Sequence, residues 1–152
     1  MAQGYMISNR NVESDQLGTR LLKNPKFFIT KASGARRETL KNWDEVNLKE
    51  FYQAIRDEIK KFPVLPEEQN EKQKHLSLFV HGYNNSWIEA VQRYSGIQDS
   101  LYKGANGLGT LLLFTWPSND RVSGYLPDRE DARDSAPQLA DLFVQLLSLI
   151  HI

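Results

Sequence analysis

The chain has 152 residues, which fits one domain with a core large enough for independent stability. Nineteen basic residues balance nineteen acidic ones, which excludes a global field that recruits nucleic acid or anionic membrane. The absence of cysteine excludes disulfides, thiolate metal sites and a cysteine nucleophile, and fits a reducing compartment.

In chain order, the start Met1-Ala2-Gln3-Gly4 lacks the basic and apolar regions of a secretory signal. Tyr5-Met6-Ile7-Ser8 and Phe27-Phe28-Ile29-Thr30 have strand character, and the polar stretch from Asn9 to Gly18 between them reads as loop. Gly34 and the charges from Arg36 to Lys41 also read as loop, the cations Lys31, Arg36, Arg37 and Lys41 as a solvated face. Asn47 with Glu50 forms a capping-box pattern, and Leu48, Phe51, Tyr52, Ile55 and Ile59 then recur at helical spacing until Pro63 and Pro66. Glu67 to Lys74 reads as a surface linker.

Leu76-Ser77-Leu78-Phe79-Val80, running into His81-Gly82, reads as a parallel strand buried on both faces. Ser86 with Glu89 opens a second helix, carrying Ile88, Val91, Ile97 and Leu101, with Gly104 as its C-cap. After an Asn106-Gly107 turn, Thr110 to Trp116 is the strongest strand pattern, closed by Pro117. Ser135, with Gln138 three residues on, reads as the cap of a last helix that buries Leu139, Leu142, Phe143, Leu146 and Leu147. Asp128, Glu130, Asp131 and Asp134, interleaved with Arg129 and Arg133, read as a solvated face. Strand, helix, strand, helix from Leu76 onward predicts an α/β fold with a mostly parallel sheet. The apolar end, Leu142 to Ile152, is interrupted by Gln145, Ser148 and His151 and falls short of the roughly twenty apolar residues of a span. A cytoplasmic chain without a membrane span is expected.

The chemistry concentrates in Leu78 to Ser86, where a strand enters His-Gly, a tight loop, and then a capped helix. Ligands of open α/β sheets bind at the carboxyl ends of strands. Glycine there lets the backbone turn and a ligand approach. Free amides at a helix entrance suit negative charge developing on an oxygen. His-Gly-Tyr-Asn-Asn, then Phe114-Thr115-Trp116-Pro117-Ser118, then Gly124-Tyr125-Leu126 and Asp128, resembles the esterase/lipase-like branch of the α/β-hydrolase superfamily, first catalogued as a bacterial family of unknown function. The resemblance covers about residues 76 to 147, with weaker support from the opening Ile7-Ser8-Asn9-Arg10.

The resemblance implies a partial three-layer sandwich in which Gly82, Tyr83 and Asn84 form the oxyanion-hole loop. It makes His81 and Asn85 organisers of that loop, not a triad base, and Trp116 and Ser118 candidates for a pocket wall. It further implies a serine nucleophile on a Gly-x-Ser-x-Gly-like elbow, then an acid and a histidine, acting on a small ester or acyl substrate without cofactor. Ser95, Ser118 and Ser123 lack the elbow setting, so nucleophile, acid and base are expected outside these residues. Residues 1–75 then supply N-terminal strands and a helix to the same domain, and residues 76–147 its core. Residues 148–152 read either as a native strand start or, like a translated sequencing adapter, as a non-native tail.

Other readings of these residues are simpler. His81 alone could be a strand-end histidine bonded to backbone. His75, His81 and His151 have no metal-site spacing, and no metal is expected. Gly104, Gly107 and Gly109 precede a strand and read as turn residues, not a phosphate loop. Phe114 and Trp116 read first as core. Because fold does not fix function, a non-catalytic binding or interaction module on a hydrolase-like scaffold is the alternative.

Overall fold

The computed structural model describes residues 3–62, 75–102, 107–118 and 125–150. The strands are β1 (Tyr5–Glu13), β2 (Gln16–Thr30), β3 (Trp43–Val46), β4 (His75–Val80) and β5 (Gly109–Thr115), and the helices are α1 (Leu48–Ile59), α2 (Trp87–Leu101) and α3 (Tyr125–Ile150). They form one five-stranded sheet in the order β3-β2-β1-β5-β4.

Period-two alternation divides the apolar side chains between the two faces. Tyr5, Ile7, Leu112 and Phe114 pack with Phe51 and Ile55 of α1 and Leu142 and Leu146 of α3. Met6, Leu111 and Leu113 pack on the opposite face with Trp87, Val91 and Tyr94 of α2. Helices therefore cover both faces, as a three-layer α/β arrangement requires.

Strands β4 and β5 are parallel neighbours, with Leu78 beside Leu112 and Val80 beside Phe114, as the two apolar runs predict. Several expectations are corrected. The sheet is mixed, not mostly parallel: β5 pairs in parallel with β1 and β4, while β2 pairs antiparallel with β1 and β3. The cause is a hairpin where a loop is expected at residues 9–18, turning at Ser14, whose φ is 54°. Its polar residues Asn9, Arg10 and Asn11 are buried, so hydropathy does not mark them as strand. Second, β4 is an edge strand among the described residues, with His75 and Val80 exposed, instead of buried on both faces. Third, Ser135 lies inside α3, where its hydroxyl donates to the Asp131 carbonyl at 2.6 Å, and Gln138 reaches the Leu22 and Lys23 carbonyls of β2. Helix α3 also includes residues 148–150, so these do not begin a strand.

Both capping boxes form, at Asn47 with Glu50 and at Ser86 with Glu89. The residues read as linker at 67–74 and as C-cap at Gly104 lie outside the described residues, as do Gly124 and His151.

Glycine is required at position 109, where φ is +118° and an added Cβ stands 2.3 Å from the His75 carbonyl oxygen. Gly109→Ala must strain its backbone and separate the start of the β4–β5 ladder. We expect a loss of about 2–3 kcal/mol. For a chain of this size that lowers Tm by roughly 5–10 °C. A melt followed by circular dichroism checks it, and a shift below about 2 °C contradicts the assigned register.

Candidate active site

The carboxyl ends of the parallel strands β4 and β5 lead into residues 81–86 and 116–118. His81 is buried, and its ring stacks on that of Trp116 with centroids 5.1 Å apart and planes 8° from parallel. The Trp116 indole N–H donates to the His81 carbonyl at 3.0 Å. Trp116 thus belongs to the apolar core and braces the loop from beneath.

The His81 hydrogen bonds determine its tautomer. Nδ1 lies 2.9 Å from the Gly82 carbonyl oxygen, which can only accept. Nε2 lies 3.2 Å from the Trp116 backbone N–H, which can only donate, and 3.2 Å from the Thr115 hydroxyl. The Trp116 carbonyl is also 3.2 Å from Nε2, but a hydrogen placed there would leave the Nδ1 lone pair facing the closer Gly82 oxygen. Geometry therefore assigns a neutral ring with its hydrogen on Nδ1.

Burial, reinforced by the nearby positive charge of Arg10 and opposed by the Gly82 hydrogen bond, pushes the His81 pKa from 6.5 down to about 4. The folded state thus resists protonating a group that the unfolded chain protonates freely. The resulting stability is fully present above pH 6.5 and is lost as pH falls from 6.5 through 4. Its size is about 3 kcal/mol at 1.36 kcal/mol per unit. Urea unfolding of the wild-type chain across this window should show the loss. His81→Gln should remove most of that slope, and an unchanged slope contradicts the buried neutral ring.

The loop is closed by Asn85, whose side-chain amide donates to the Gly82 carbonyl at 3.0 Å and the Tyr83 carbonyl at 2.7 Å. Asn84 takes the left-handed conformation, at φ 57°. The tight turn therefore occurs at Asn84 and not at Gly82, where an added Cβ meets no described residue within 4 Å. Instead of permitting a strained backbone, Gly82 leaves open space. It faces a groove of about 600 Å³ that runs along β4 past Phe79, Arg93, Gly96 and Ile97.

Two later amides are occupied. The Asn85 N–H donates to the Ser118 hydroxyl oxygen at 3.2 Å, and the Ser86 N–H donates to the Glu89 carboxylate at 2.9 Å. Ser118 is buried and donates in turn to Asp128 at 2.5 Å. This corrects the solvated reading of Asp128, which is fully buried beneath the loop. Asp131 is only partly exposed, and burial raises its pKa.

Arg10 and Thr115, which sequence reasoning did not assign to the site, are also buried there. The Arg10 Nε–H donates to Thr115 Oγ1 at 3.0 Å, and the two Nη groups donate to the Gly18 and Asn85 carbonyls at 3.2 and 3.0 Å. Burial lowers the Arg10 pKa to about 10, partly offset by Asp128 and Asp131, so the guanidinium stays charged at neutral pH. The motif Ile7-Ser8-Asn9-Arg10 held the signal, a cation two residues past the apolar run Tyr5-Met6-Ile7-Ser8. Among the described residues, no group of three histidine or acidic side chains could hold a metal, and no helix is long and apolar enough to cross a membrane.

These features define an α/β protein whose polar site lies at the carboxyl ends of parallel strands and is entered by a strand-loop-helix turn. The chain belongs to the family described as "Alpha/beta hydrolase of unknown function (DUF900)", whose model matches residues 58–149. It is also similar to the uncharacterized protein alr1448 of Nostoc sp. (strain PCC 7120), at 32% identity over 94 residues, covering 47% of this chain and 24% of the relative. The matched region thus spans about a quarter of that relative's length. No solved structure matches.

Proposed function

We propose that this chain supplies the oxyanion-hole half of a serine hydrolase acting on small ester or acyl substrates. The observation that carries the reading is the orientation of the Gly82–Tyr83 peptide. Its carbonyl accepts hydrogen bonds from His81 and from Asn85 within the loop. In a trans peptide the N–H lies opposite the carbonyl, so the Tyr83 N–H is turned away from the His81 ring and the Asn85 amide. The neighbouring Asn84 amide is the second candidate donor. The entrance of α2 adds a favourable dipole for negative charge.

In the reaction, a serine on an elbow beside β4 attacks the acyl carbon while a histidine takes its proton. The carbonyl oxygen then gains negative charge and is held by the loop amide. His81 serves as a scaffold and not as the base: its Nδ1–H is committed to Gly82, and its Nε2 lies against Thr115 and Trp116. The nucleophile, acid and base come from other parts of the full-length protein. Accordingly, the 152-residue chain alone should not turn over short-chain aryl esters, whereas the full-length protein should. Turnover by the isolated monomer that Ser118→Ala or Ser123→Ala abolishes would place the active site elsewhere.

A further inference from the structure

We infer that Arg10 is a positioning residue for the loop, its buried guanidinium fixing the orientation of the Gly82–Tyr83 peptide through Thr115 and His81. The inference rests on the reading of that peptide as an oxyanion donor. The Arg10 Nε–H occupies a lone pair of Thr115 Oγ1, which leaves the hydroxyl hydrogen free to donate. His81 Nε2 is the acceptor 3.2 Å away. With Thr115 and the Trp116 N–H sharing the single Nε2 lone pair, the ring hydrogen stays on Nδ1, from which it bonds the Gly82 carbonyl.

The donors thus run in one direction, from Arg10 to Thr115, from Thr115 to His81, and from His81 to Gly82. Successive bonds of this kind polarise one another, so the amide at the end becomes a better donor on its opposite side. The same guanidinium holds the far end of the loop through the Asn85 carbonyl. The Asn85 N–H is meanwhile held by Ser118, which Asp128 anchors. One cation therefore acts on both ends of the loop, on His81 through Thr115 and on Asn85 directly. None of the ion pairs among the described residues involves Arg10. Lysine cannot replace it, because a single ammonium lacks the planar fork that reaches three acceptors in different directions.

The test uses Thr115→Val, which keeps the side-chain shape and removes the hydroxyl, and Arg10→Lys. Histidine-ring nitrogen spectra and amide hydrogen exchange are recorded on the whole 152-residue chain. Wild type should show His81 with its hydrogen on Nδ1. Both variants should show a second ring tautomer, with exchange at Asn85, whose N–H Ser118 holds, at least tenfold faster than global stability accounts for. If Arg10→Lys fails to fold, Thr115→Val decides the matter alone. Unchanged ring signals and loop exchange in folded Thr115→Val overturn the inference. In the full-length protein, Thr115→Val should lower kcat at least tenfold with KM nearly constant. If Gly82→Val abolishes turnover while Thr115→Val does not affect it, only the Arg10 assignment is overturned. If neither affects turnover, the oxyanion reading itself fails.

Discussion

Gly82→Val should leave the isolated chain as stable as wild type yet lower the full-length protein's kcat/KM for a short-chain aryl ester by about a hundredfold or more. The two expectations arise from one fact, the open space beside Gly82. A Cβ there meets no atom of the described residues, and the backbone does not need glycine's left-handed freedom, which is used at Asn84. The Tm of the isolated chain should therefore move by no more than about 2 °C, equivalent to roughly half a kcal/mol. The added methyl groups do occupy space beside the peptide proposed to meet the reacting oxygen. Displacing a reacting group by about 1 Å can cost a hundredfold in rate. Steady-state kinetics beside a thermal melt checks both halves. Full activity in the variant means that substrate does not approach Gly82.

The isolated chain should self-associate through β4. Parallel sheets normally bury both faces and both sides of such an apolar strand, but β4 pairs only with β5 among the described residues. Both faces of this edge carry apolar grooves. Leu76, Leu78, Leu112, Phe143, Leu146 and Leu147 line one of about 240 Å³, and Phe79, Ile97 and Leu101 line part of the other. Val80 and Phe143 are 39% and 51% exposed, so they can be changed at little cost to the folded monomer. Covering a large apolar side chain is worth about 1.5–3 kcal/mol. Val80→Lys combined with Phe143→Glu should therefore weaken self-association about a hundredfold or more, while changing Tm only slightly. Sedimentation velocity over a concentration series measures this. A wild-type chain that stays monomeric throughout contradicts the account of the edge.

Much of the scaffold was legible because burial and hydropathy agree. Leu76–Val80 and Thr110–Thr115 are apolar strands, and Asn47–Glu50 and Ser86–Glu89 are local capping boxes whose chemistry needs no tertiary context. The β1–β2 hairpin was hidden because β1 leaves the apolar core at Ser8 and enters the polar site. There its buried groups are Asn9, Arg10 and Asn11, and register irregularities further break the alternation. Asp128 was misread for a related reason. Acids interleaved with arginines on a helix suggest a solvated face, and only the approach of Ser118, ten residues earlier, shows that this carboxylate is buried. The edge position of β4 was equally inaccessible, since an apolar run does not reveal which of its sides has a neighbour. The loop residues were legible as a motif, but the division of labour among them was not: the left-handed turn falls at Asn84 and the open space at Gly82.

The oxyanion donors are proposed to lie in these residues and the nucleophile elsewhere in the full-length protein. A fluorophosphonate probe, which reacts with activated serines, tests this most directly when the labelled peptide is identified by mass spectrometry. One labelled serine outside the 152 residues is expected, with labelling slowed in Gly82→Val and no labelling of the isolated chain. Label on Ser118, Ser123 or any other serine of this chain would contradict this.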